Sequence, residues 1–136
     1  MPSVQEIVKG VVRKRHRSAH SAGYAPTATD IGGLPSDLLC VAMCFDASVS
    51  SSMEQALFDP IRWSAGECRW REGVNLYLVE PTPRGLRLWR SGASRAMYVG
   101  SSINDIRTRV PRASPGKIAV LVEHDLGGRP ATWSVL

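Results

Sequence analysis

No stretch of the 136-residue sequence reaches the ~18 apolar residues that a membrane-spanning helix needs, and no signal-peptide pattern opens it. Cysteine is scarce: Cys40, Cys44 and Cys68 make an odd number, which argues against a disulfide framework and for reduced thiols in a cytosolic compartment. Cys40 and Cys44 sit in the apolar run Leu38–Phe45, where cysteine behaves as a small hydrophobe. A zinc site needs a second ligand pair, and Cys68 with a distant histidine does not supply one. Lysine is scarcer than arginine, with 14 of the 17 basic residues being arginine, the side chain whose planar fork suits phosphate. Long helical stretches free of breakers are also rare, because 12 glycines and nine prolines are scattered along the chain. That excludes a helical bundle and predicts many short elements.

What is present is globular: 43% hydrophobic and 21% charged residues, enough for one independent core. The net charge of +5 is strongly polarised. Residues 1–29 hold Lys9, Arg13, Lys14, Arg15 and Arg17 against Glu6 alone. Residues 30–80 hold eight acids against three arginines, a net −5. Residues 81–112 hold Arg84, Arg87, Arg90, Arg95, Arg107, Arg109 and Arg112 against Asp105 alone. A chain divided in this way is expected to meet an anionic membrane or nucleic acid at one face and a copy of itself at another.

Val4, Ile7, Val8, Val11 and Val12 recur at helical spacing and lead into the basic cluster, so the arm carries an apolar stripe beside its charge. Ser18 to Pro35 is small, polar and Gly/Pro-bearing, and reads as a linker. The expected organisation is a flexible basic arm and linker over 1–35, followed by a compact domain over 36–136. Leu38–Phe45 is apolar on both faces and is expected as a central strand. Ser51 and Glu54 have capping-box spacing. A short helix is predicted after them, with Met53, Ala56, Leu57 and Ile61 inward and Pro60 ending it. Further strands are expected at Val74–Glu80, Leu86–Trp89, Ala96–Gly100, Lys117–His124 and Ala131–Val135, with Gly127-Gly128 turning the last hairpin. Strands outnumber helices and helical crossovers are absent from this pattern. The expected class is α+β: one domain, a mainly antiparallel sheet and one or two short helices.

No catalytic constellation emerges from the residues. His124 and Asp125 are adjacent, so on a strand they point to opposite faces and form no relay. Trp63, Trp70, Trp89 and Trp133 read as core or interface anchors. Neither a cofactor nor a metal is expected, and the chain is read as a non-enzyme.

Two resemblances add to this. Asn75-Leu76-Tyr77-Leu78-Val79 and Met97-Tyr98-Val99-Gly100-Ser101-Ser102, followed by Arg107 and Arg109, are similar to the half-motifs of GIY-YIG endonucleases. That resemblance implies Tyr77, Tyr98 and Arg109 as residues acting on a phosphate. The first half-motif lacks its Gly-Ile, and a metal-holding glutamate on a later helix is missing. Over the whole chain, the order of features resembles the matrix proteins of rhabdoviruses. The likeness runs through a basic arm, a Pro-bearing segment at Gly23–Ala28, a first core strand at Val41–Met43, a first helix at Met53–Trp63, and a closing hairpin from Gly116–Val122 to Gly128–Trp133. Pro26-Thr27-Ala28-Thr29 has Thr29 where a Pro-Thr-Ala-Pro budding motif ends in proline, so recruitment of host sorting machinery is doubtful.

The matrix resemblance implies a structural protein of the virion, on the inner face of the envelope and in the host cytoplasm, that bridges anionic membrane and nucleocapsid or RNA. Lys9, Arg13, Lys14, Arg15 and Arg17 would then bind membrane or nucleocapsid. Self-association is expected through Tyr24, Pro26, Ile31 and Leu34. The alternative is a small nucleic-acid-binding protein or regulator, related to a degenerate GIY-YIG nuclease.

Overall fold

The computed structural model describes residues 4–20 and 27–136, without the side chains of residues 4, 14–20, 30 and 31. The chain divides into two units, Met1–Cys44 and Phe45–Leu136. The expected boundary at residue 35 falls in the first turn of a helix that runs on past Cys44.

The first unit is helical. Helix α1 spans Val4–His20, in agreement with its apolar spacing, with Ile7 buried and Val8, Val12, Lys9 and Arg13 exposed. A single turn, α2, spans Ala28–Gly32, and α3 spans Leu34–Phe58. The strand expected at Leu38–Phe45 is therefore the interior of α3. A short apolar run reads equally well as a buried strand or a helix segment. Here the residues after it decide: nothing from Leu38 to Phe58 breaks a helix, and Pro35 lies in the first turn, where its missing N–H costs little. Burial pushes the Cys40 thiol above its ordinary range, and Cys44 and Asp37 push it the same way.

The second unit begins with the C-terminal half of α3. Phe58 ends that helix, and Asp59 caps α4 (Pro60–Ser64) by accepting from the Arg62 N–H at 3.1 Å, with Pro60 in the first turn. A 3₁₀ turn at Trp70–Gly73 then leads into the sheet. The strands are β1 Val74–Thr82, β2 Gly85–Arg90, β3 Tyr98–Gly100, β4 Ile118–His124 and β5 Pro130–Val135, with α5 (Ile103–Arg109) between β3 and β4. Their order is β3-β2-β1-β4-β5. All neighbours are antiparallel except β1 and β4, which pair in parallel with Tyr77 opposite Leu121. The fold is α+β with a mixed sheet. The parallel pair corrects the expectation of no helical crossover, since α5 lies in the connection that a parallel return requires.

Tyr77, Val79, Leu88, Ala119 and Leu121 line one face of the sheet and form the core with Ile106 of α5. Five successive residues of β4, Ile118–Val122, are buried, as befits a strand covered on both faces. On the other face Trp133, opposite Val122 in register, donates its indole N–H to Asp46 of α3 at 2.8 Å.

Ser51 is not a helix cap. It is fully buried in mid-helix, and its hydroxyl donates to the Trp70 carbonyl at 2.8 Å. The inward residues of this half of α3 are Ala47 and Ser51, while Met53, Leu57 and, on α4, Ile61 are exposed, the reverse of the expected facing. A Cβ on Gly73 would collide with the Ser51 hydroxyl. Close approach of the 3₁₀ turn to α3 selects small residues on that side, and the large ones face out.

Candidate nucleic-acid interface

β3 and α5 build the site as one local unit. Ser102 caps α5 by accepting from the Asp105 N–H at 3.2 Å. This places the Asp105 carboxylate under Tyr98, whose hydroxyl donates to both of its oxygens, at 3.1 and 3.3 Å. Gly100 makes room for the arrangement: a Cβ there would lie 2.7 Å from Asp105 Oδ2 and 3.0 Å from Ile106 Cδ1. One helical turn after Asp105, the Arg109 guanidinium lies 4.9 Å from the centre of the Tyr98 ring, a cation–π stack. Tyr98, Gly100, Ser102, Asp105 and Arg109 thus dock α5 on the sheet.

Of the nuclease-like trio, the structure brings Tyr98 and Arg109 together. Tyr77 shares their face of the sheet but lies on β1, two strands from β3, and is buried in the core. The Tyr98 hydroxyl is committed to Asp105. Glu123, the carboxylate downstream on β4, pairs with Arg107 at 3.3 Å. Among the described residues no group of three His, Cys, Asp or Glu side chains is gathered at one place.

The seven arginines of residues 84–112 are all exposed, but they do not form one cluster. Arg84 stands in the β1–β2 turn, and Arg87 points away from α5 by strand alternation. Arg90 follows Leu88 on the α5 face, and Arg95 lies in the loop before β3. Arg107, Arg109 and Arg112 come from α5 and the segment after it.

Two of these line a cavity of about 570 Å³ between that segment and β4. Arg107 and Arg112 meet Lys117 there, with Thr108 and the single acid Glu54. Sequence reasoning missed Lys117, because it sits in a stretch of balanced charge just before β4. The signal was its position after the Pro115-Gly116 turn, which swings it toward α5; Gly116 has φ +75° and lies too close to Phe58 to carry a side chain. Among the described residues no ion pair engages Arg112 or Lys117.

Of the remaining candidates, Lys9 and Arg13 are exposed on α1, and Leu34 is half-buried at the start of α3. Tyr24 and Pro26 lie outside the described residues. So do the side chains of Lys14, Arg15, Arg17 and Ile31. No protein-family model, curated protein or solved structure matches the chain.

Proposed function

We propose that the protein binds the phosphate backbone of a nucleic acid along the α5 edge of its sheet. The observation that carries this reading is the cavity lined by Arg107, Arg112 and Lys117, with Glu54 as the acid in its lining and Glu123 paired to Arg107. Arg109 adds positive charge to the last turn of the same helix as Arg107. Arginine forks take phosphate oxygens in pairs, and helix and turn positions fix their spacing. Arg107 is partly spent on Glu123, an exposed pair that contributes no more than about 1 kcal/mol, so a phosphate displaces it readily. The assigned role is binding without strand scission, since the Tyr98 hydroxyl and Glu123 already have partners inside the protein.

Arg112→Ala and Lys117→Ala, made together, are expected to weaken binding of a fluorescent duplex by about 10- to 100-fold across all sequences, and each removes about one unit from the salt slope. Fluorescence anisotropy reads this. Mg²⁺-dependent cleavage that disappears in Arg109→Ala would replace the binding reading with the nuclease one.

A second reading, the membrane-bridging role implied by the matrix resemblance, is favoured by α1. Exposed Val8 and Val12 share that helix with exposed Lys9 and Arg13, and each cation near an anionic leaflet contributes about 1 kcal/mol. The expected core strand at Val41–Met43 gives it no support, being helical. Removal of residues 1–20 should abolish flotation with anionic liposomes at physiological salt; unchanged flotation would remove this reading.

A further inference from the structure

From Phe45 onward α3 turns small residues inward and large apolar ones outward. Its inward side carries Ala47 and Ser51, and its outward side carries Phe45, Val49, Met53 and Leu57, four residues apart and therefore in one stripe. Phe45 is 70% exposed, Met53 62%, Leu57 80%, and Ile61 on the neighbouring α4 80%. A contiguous stripe of large apolar side chains left exposed marks a contact surface. We infer that a second copy of this chain covers the stripe, by antiparallel two-fold pairing of α3 with α3.

Two observations favour a copy over another occupant. The first is area. At ~150–250 Å² per large apolar side chain, the exposed parts of Phe45, Val49, Met53, Leu57, Ile61 and Trp63 amount to roughly 600–950 Å². One partner in a standard stable interface contributes about that much. The second is register. A two-fold axis level with residue 51 but on the outer side of α3 sets Phe45 opposite Leu57 and Val49 opposite Met53, so each residue meets its complement twice, as an isologous contact requires. Beside the stripe, a groove of about 360 Å³ lies over the small residues Ser48, Ser52 and Ala56 and against Trp63. In this register it receives the second copy's Met53, a flexible side chain suited to such a seat.

α3 carries Asp37, Asp46 and Glu54 and no basic residue, so it offers an anionic membrane no counter-charge. The surface is separate from the α5 cavity, so this inference and the proposed nucleic-acid binding stand or fall independently.

Sedimentation equilibrium of the full chain tests it. The expected result is twice the monomer mass, persisting at ~1 M NaCl, where the Debye length is only ~3 Å, because apolar contact rather than charge holds the pair. Leu57→Glu and Met53→Glu change exposed positions, so the thermal melt of the monomer should stay in place while the dimer dissociation constant rises at least about 10-fold. Oxidation of a Phe45→Cys, Leu57→Cys double variant should give a dimer whose mass-mapped link joins position 45 to 57; these positions are ~18 Å apart on one helix and cannot bridge within a chain. A wild type that stays monomeric, whether free or bound to anionic vesicles through this face, would overturn the inference. So would a dimer indifferent to Leu57→Glu.

Discussion

Tyr98 holds α5 in place through its two ends. Its hydroxyl donates to Asp105, and its ring lies under Arg109 at 4.9 Å. Removing only the hydroxyl, in Tyr98→Phe, leaves a partly buried carboxylate short of a donor, which costs about 1–2 kcal/mol. For a domain of this size the expected fall in melting temperature is roughly 3–8 °C, while affinity for nucleic acid stays within about two-fold. A thermal melt followed by circular dichroism, with anisotropy alongside, reads both. Lost affinity at an unchanged melting temperature would show that the hydroxyl serves a ligand instead. The grouping of Tyr98 with Arg109 was legible in the sequence because both lie within one short strand–helix unit. Tyr77 was misplaced beside them because sequence spacing does not reveal that β2 intervenes. Lys117 was missed for the same reason, since its partners Arg107 and Arg112 reach it only through the fold.

At the scale of elements, the five strands of the sheet are legible as β-branched and alternating runs between turn residues, and Gly127-Gly128 does turn the last hairpin, where Asp125 accepts from Gly127 and Arg129. Helix α3 was legible only in its last turns, where a short helix is expected after Ser51; its early part, Leu38–Phe45, is apolar around the axis and imitates a buried strand. The inner side is set by contact distance instead. Gly73 approaches α3 so closely that a methyl group there would also lie 2.7 Å from Gln55 Nε2. Gly73→Ala is therefore expected to destabilise the protein by about 1–3 kcal/mol through overpacking. A methyl group on Gly10 of α1 would meet no atom within 4 Å, so Gly10→Ala should instead stabilise by about 0.5–1 kcal/mol. Chemical denaturation of the two variants checks the contrast. Equal effects would mean that the 3₁₀ turn does not pack on α3 as described.

In the second unit Arg107, Arg112 and Lys117 line one cavity, and the exposed apolar stripe of Phe45, Val49, Met53 and Leu57 lies apart from it on α3. Such separation suits a protein with two kinds of contact, one screened by salt and one not. Binding to nucleic acid releases counterions in proportion to the phosphates neutralised, which gives a slope of about −0.9 per contact in a plot of log affinity against log salt. The most direct test is that plot for the wild type on a short duplex, repeated for the Arg112→Ala, Lys117→Ala pair. The expected wild-type slope is about −3 or steeper, from Arg107, Arg112 and Lys117 at least, and the slope of the double variant should be shallower by about two. A salt-independent affinity, or identical slopes for the two proteins, would contradict phosphate binding at the α5 edge.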